Sequence, residues 1–368
     1  MTDPLPGLFG FALMTAYSAG ITGAATTPRW DVAAVLAVAL FFAPRIRLTA
    51  VHYLGAALLA WLFITLIWSE GQLDGTDAAF KLILGAIAFA VGSTMPSLRP
   101  ILIGSAIGIG ISSGFAIAQW LGWHGIETYD NGFAGLFHNR DRLGAAAALV
   151  AIGVAASCPR LWLLLPLLAP SLILTQSRAA WLAVVTGVLV MPTRYPAARW
   201  LALGVTTGAA AFMFLRHGYD VGIDQRLSLA SDTIGALNIF GHGLGSFWES
   251  FPAHAHLFSI ATERPEHPHN EWLWMAYEGG LPAFVLASVF AVALWRSAEE
   301  HPQRSMLTGL FVLAMFAMPF HDPATLILGA LCAGFLAGRR ADHGVVAFDR
   351  GSPLRQGLAA GVVRQRFF

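Results

Sequence analysis

Apolar runs long enough, or nearly long enough, to cross a lipid bilayer recur along most of this chain, and no other feature limits its fold as tightly. A hydrocarbon core of roughly 30 Å needs about 20 helical residues. In lipid every backbone polar group must find its partner inside the protein, which leaves only helices or closed barrels. The runs are apolar on all faces and too long for the alternating strands of a barrel. The chain therefore reads as an all-α, polytopic membrane protein. Composition agrees: of 368 residues 56% are hydrophobic and 12% charged, against about 25% charged in an average soluble domain.

About twelve helices are expected, over Gly7–Gly23, Trp30–Phe42, Thr49–Trp68, Ala78–Met95, Pro100–Leu121, Arg142–Ser157, Leu161–Thr175, Ala179–Met191, Pro196–Leu215, Asn270–Trp295, Ser305–Phe320 and Pro323–Ala337. The first follows Met1–Gly7, which has no basic stretch, so a retained helix is expected over a cleaved leader. The longest polar interval, 216–269, lies between the ninth and tenth helices. The span domain is then 1–338, and 339–368 a glycine- and arginine-containing tail on the cytoplasmic side. With both termini cytoplasmic, most arginines fall on the inner side, as the positive-inside rule requires. Arg140, Arg142, Arg178, Arg216, Arg226 and Arg264 are left outside, flanking the two longest external loops or a helix end. Topology does not need them there. They fit either salt bridges to Asp141, Asp224, Glu263 or Glu266, or an anionic ligand, because guanidinium matches carboxylate and phosphate oxygens in bidentate geometry.

The net charge of +1 implies no nucleic-acid partner. Cys158 and Cys332 stand far apart in or beside apolar segments and read as small core residues. Four polar stretches carry the candidate chemistry. Thr175-Gln176-Ser177-Arg178 interrupts an apolar stretch, where a charge faces protein or a water-filled cavity, unless it is a simple hairpin. Gly135 to Arg142 ends the other external loop, and its His138, Asn139 and Arg142 either line a cavity or form a helix cap with a local Arg140–Asp141 pair. Asp224 to Ser228 precedes an amphipathic interval, Leu227–Phe240, that suits a helix at the membrane interface. The following Gly241-His242-Gly243-Leu244-Gly245 lacks the setting of a nucleotide site and reads as a tight turn.

His267-Pro268-His269-Asn270-Glu271 is the densest of the four. Imidazole titrates near neutral pH and can accept a proton from a hydroxyl as that oxygen attacks. Asn270 can orient a ring, and Trp272, Trp274 and Tyr277 suit an interfacial belt or sugar stacking. A metal site from His254, His256, His267 and His269 is the competing reading, but it lacks the helical His-Glu-x-x-His spacing and converging carboxylates. No metal or cofactor is expected.

Together these segments resemble the O-antigen ligase and O-antigen polymerase superfamily of bacterial membrane glycosyltransferases. The resemblance rests on Phe137–Asn139 before a helix, Ser177-Arg178 opening a helix, Arg226 early in the large loop, Gly241–Gly245, and His267–Asn270 leading into Glu278-Gly279-Gly280-Leu281-Pro282. It implies transfer of a glycan from undecaprenyl pyrophosphate to a hydroxyl at the periplasmic face of the inner membrane, without metal. Arg178 and Arg226 would hold the pyrophosphate, and His269, rather than His267, would activate the acceptor. His267, Asn270, Asn139, Arg142 and Arg216 would contact the substrates. The acceptor would be lipid A core in a ligase, or a second lipid-linked glycan in a polymerase. A transporter or flippase is the alternative from another class, but such proteins place their charges near the bilayer midplane, whereas here they gather at one face.

Overall fold

A computed structural model describes residues 4–18, 24–43, 46–126, 128, 132–157, 159–192, 200, 203–204, 207–208, 211, 221–258, 265–299 and 301–348. Among them the chain is helical, without a strand, as the apolar runs require. In chain order α1 spans Leu5–Thr15, α2 Thr27–Phe41, α3 Ala50–Thr65, α4 Gln72–Thr94, α5 Arg99–Trp120 and α6 Arg140–Ser157. Then come α7 over Leu165–Thr175, α8 over Arg178–Val190, α9 over Val221–Gly235, α10 over Glu271–Ser297, α11 over Arg304–Phe316 and α12 over Pro323–Phe348. Among the described residues, four segments are long and apolar enough to cross a membrane: Ala50–Trp68, α4, α5 and α10. Shorter apolar helices include α1, α8 and α11. Phe41, Ile67, Leu73 and Leu163 are among the large apolar side chains left exposed, a surface that lipid covers at no cost and water does not. The expected ninth helix, 196–215, falls largely outside the described residues, as does Cys158, while Cys332 is buried.

Several boundaries differ from expectation for local reasons. Helix α4 begins at Gln72, not Ala78, which puts Asp74 in its first turn, where the helix dipole favours a carboxylate, and lets Asp77 pair with Lys81 one turn on. Helix α11 stops at Phe316, not Phe320. Pro319 disfavours helical backbone at the preceding residue, so Phe320, His321 and Asp322 are released into a connection. Helix α12 runs past the expected end at Ala337 to Phe348, with no proline to stop it. The interfacial helix starts earlier than Leu227 and ends at Gly235, where the chain turns, instead of reaching Phe240. Its Leu227 and Ile234 are exposed, while Leu229, Asp232 and Thr233 face the protein.

Helix α6 is the axis of the bundle. Every residue from Leu143 to Val154 is buried, and α5, α7, α8, α11 and α12 all pack on it. A helix buried on all faces by small residues lets neighbours approach from every side. At Gly144 the approach is close, since a Cβ there would stand 2.8 Å from Ser177 Cβ, just before the first residue of α8. The starts of α6 and α8 are thereby packed side by side in the middle of one end of the bundle.

A second device fixes that end. Arg29 is fully buried in α2 and donates to the carbonyl oxygens of Leu13 (3.0 Å), Met14 (3.2 Å), Leu136 (3.1 Å) and Ala25. Its guanidinium also lies 3.9 Å from the centre of the Phe137 ring. A buried charge is tolerated only when its donors are satisfied, and here carbonyls do so. Arg29 therefore clamps the turn that leads into Asn139.

Candidate functional site

Three helices start in the same way at this end. The residue before each N-cap takes left-handed backbone, His138 (φ 63), Gln176 (φ 55) and His269 (φ 52), and these are all the non-glycine residues with positive φ among those described. Such backbone is uncommon for these residue types and costs on the order of 1 kcal/mol or more. The caps that follow are Asn139, Ser177 and Asn270. Asn139 Oδ1 accepts from the amides of Asp141 (2.8 Å) and Arg142 (3.3 Å), and Asn270 Oδ1 from Trp272 (2.9 Å) and Leu273 (3.0 Å). Both asparagines thus cap helices through their oxygens. That leaves their amide nitrogens, not their oxygens, for a ligand or an imidazole.

Side chains from distant segments meet beside these helix starts. Arg226 of α9 stands 3.8 Å from Asp141 of α6, and donates to the carbonyl of Phe316 at the end of α11 (3.3 Å). Asp141 thus has a partner from the large loop. His269 feels both groups. Burial first, and then the Arg226 charge, hold its imidazole down to about 4, while Asp141 pulls the other way. His267 is pushed well below the usual histidine range by burial, then by the neighbouring His321 and His269, with Arg142 adding to the effect. Both rings are neutral at pH 7, the state a proton acceptor must have. Arg178 is the first residue of α8 and half-buried beside the α6 start. Arg216 and Arg264 lie outside the described residues.

The glycine turn of the large loop locks onto a break in α10. Gly280 has φ 69 and ψ −168, a backbone that interrupts the expected uninterrupted helix. The carbonyls thus freed are taken by the loop: the amides of His242 and Gly243 donate to Tyr277 and Glu278, each at 2.9 Å, and Leu281 donates to Ile239 (2.9 Å). The Glu278 carboxylate, buried, accepts from Gly245 (2.7 Å) and Phe247 (3.0 Å). Farther along, Asp232 accepts from three successive amides, His256, Leu257 and Phe258. The loop is pinned at each of these points.

Beneath it runs a cavity of about 690 Å³ between α3, α4, α10, α11 and α12. Its walls are mainly apolar, with Leu58, Phe89, Phe290 and Leu326 along its length. Polar groups enter it, among them Glu266, His267, Glu278 and His321. An apolar channel with a few convergent polar groups suits an amphiphile with a lipid chain.

Sequence reasoning missed His321 and the place of Glu271. Glu271, 1% exposed, accepts from the amide of Phe320 (2.7 Å) and stands 3.4 Å from His321 Nδ1. A signal was present: His321-Asp322 breaks two apolar runs much as Ser177-Arg178 does. Among the described residues no three of His, Cys, Asp and Glu gather as a metal-holding group.

Residues 163–288 match the family model described as O-Antigen ligase, which supports placing the chain in the O-antigen ligase superfamily. The matched segment, about a third of the chain, includes Arg178, Arg226, His267 and His269. No match is found among curated proteins.

Proposed function

We propose, with the O-antigen ligase domain at 163–288 as premise, that this chain moves a glycan from undecaprenyl pyrophosphate to a hydroxyl of lipid A core at the periplasmic face of the bacterial inner membrane. The observation that carries the reading is the meeting of Arg226, Asp141 and the His267–His269 pair at the starts of α6 and α10, beside an apolar cavity. Helix N-termini favour anions, so a pyrophosphate fits there with its isoprenoid chain in the cavity. The topology that goes with this has about twelve spans, both termini cytoplasmic and 216–269 periplasmic, with 1–338 as the membrane domain and 339–368 as the cytoplasmic tail.

In this reading Arg178 and Arg226 hold the pyrophosphate and stabilise charge as it leaves. The Arg226–Asp141 pair is about half exposed on both sides, so water screens it and a phosphate displaces Asp141 at little cost. His269 takes the acceptor proton. His267, Asn270, Asn139, Arg142 and Arg216 contact donor or acceptor.

The test is transfer by the purified chain from a lipid-pyrophosphate glycan to defined acceptors. Product on lipid A core supports the ligase. Product only on a second lipid-linked glycan makes the chain a polymerase, and no transfer to either overturns the proposal. Arg226→Lys is expected to lower kcat/KM roughly tenfold or more, because a point charge loses the bidentate fork. Unchanged kinetics in that variant would reduce Arg226 to simple charge neutralisation. Activity is expected to persist in a chelator; loss restored by one divalent ion would instead implicate a metal.

A further inference from the structure

Three imidazoles stand in series at the polar end of the cavity and finish on a buried carboxylate. The rings of His269 and His267 are 4.9 Å apart and nearly perpendicular (80°), and those of His267 and His321 are 5.3 Å apart at 66°. His321 is held on its other side by Trp274, 4.9 Å away at 87°, and its Nδ1 is turned to Glu271 at 3.4 Å. No direct hydrogen bond joins the three rings, so with centres about 5 Å apart the proton passes from one to the next through a bridging water. Glu271 cannot swing away, because the Phe320 amide holds Oε1 at 2.7 Å and Asn270 caps the turn that carries it.

The polar atoms of this chain are not all paired. His267 Nδ1 is buried without a hydrogen-bond partner, and Glu271 Oε2 has only the 3.4 Å approach of His321 Nδ1. A buried polar atom left so is costly and asks for an explanation. A row of groups that share one proton supplies it, since a link without the proton necessarily lacks a donor.

We propose that His269, His267, His321 and Glu271 form a proton relay, in which the proton taken from the acceptor hydroxyl at His269 passes through His267 and His321 to Glu271. This rests on the glycosyl-transfer reading above. In the transfer, the acceptor oxygen bonds to the anomeric carbon while the bond from that carbon to the pyrophosphate oxygen breaks, its electron pair leaving with the pyrophosphate. The hydroxyl proton goes to His269, and successive ring-to-ring transfers leave three neutral imidazoles and a neutral Glu271 carboxyl. The proton then returns by the same route to water or to the departing pyrophosphate. The surrounding charges favour this direction. Arg226 opposes a cation on His269 and Arg142 opposes one on His267, with Asp141 tempering His269 in return. Moving the proton to a carboxylate takes the positive charge away from the arginines that must grip the leaving group.

The test uses full-length protein, a lipid-pyrophosphate glycan donor and the acceptor that wild type uses. Glu271→Gln keeps an oxygen for the Phe320 amide and removes the proton acceptor. His321→Gln breaks the row one step earlier. Each is expected to lower kcat roughly tenfold with donor KM and melting temperature unchanged. The double variant is expected to be no worse than either single one, because a row broken once carries nothing further. Wild-type kcat in Glu271→Gln, losses that multiply in the double variant, or losses confined to KM or melting temperature would overturn the relay alone. Absence of transfer by wild type would overturn the glycosyl-transfer reading and the relay with it.

Discussion

His269→Ala is expected to lower kcat by roughly a hundredfold or more while donor binding and membrane insertion stay intact, with His267→Ala milder. A hydroxyl is a poor nucleophile near neutral pH, and a positioned base contributes about that much. His269 is the ring whose proton affinity answers directly to Arg226 and Asp141, so it stands nearest the proposed pyrophosphate. The pH dependence follows from the same contacts. A base works only when neutral, and burial with Arg226 brings this imidazole from its ordinary 6.5 to about 4. As pH falls, kcat/KM, which reports the free enzyme, should hold through pH 6 and fail only near 4. The kcat limb should lie higher, because a bound pyrophosphate offsets the Arg226 charge. An acid limb of kcat/KM near 6.5 that vanishes in His267→Ala would transfer the role to His267.

Gly280→Ala is expected to be strongly destabilising. At φ 69 and ψ −168 the backbone is in a region essentially restricted to glycine. A Cβ would also stand 2.3 Å from the carbonyl oxygen of Ile239 and 2.4 Å from the carbonyl carbon of Phe240, and backbone atoms cannot step aside as a side-chain tip can. The loss should be on the order of 3 kcal/mol, with the Ile239–Gly245 segment released from α10. Thermal melting and limited proteolysis of the loop measure both effects. A variant with unchanged melting and an uncut loop would mean that the break in α10 does not depend on glycine.

The membrane class and most helices were legible because a span must be apolar over a fixed length, a constraint written along the chain. The His267–Asn270 and Ser177-Arg178 motifs were legible because polar clusters are costly beside lipid. What escaped depends on long-range contact. Asp141 was one of four carboxylates offered to the external arginines, but nothing in the pattern around Arg226 selects it over the others. Gly279, Gly280 and Pro282 hinted at the α10 break, but the apolar runs on either side read as one span, and only docking of the Gly241–Gly245 turn gives the freed carbonyls their partners. His321 was passed over because two polar residues between apolar runs are ordinary punctuation, until Glu271 is seen beside them.

The Arg29 clamp has a consequence for how the protein is made. Three of its four carbonyl acceptors, on Leu13, Met14 and Ala25, lie within 16 residues before it in the chain, and only Leu136 is synthesised much later. A guanidinium entering lipid can thus be nearly satisfied by α1 and α2 alone, long before the turn ahead of α6 exists. The first helical pair then waits in the bilayer with one donor direction unfilled, a docking point for the Leu136 carbonyl and the Phe137 ring. The order of synthesis sets the platform first and the reactive end of the bundle on it afterwards.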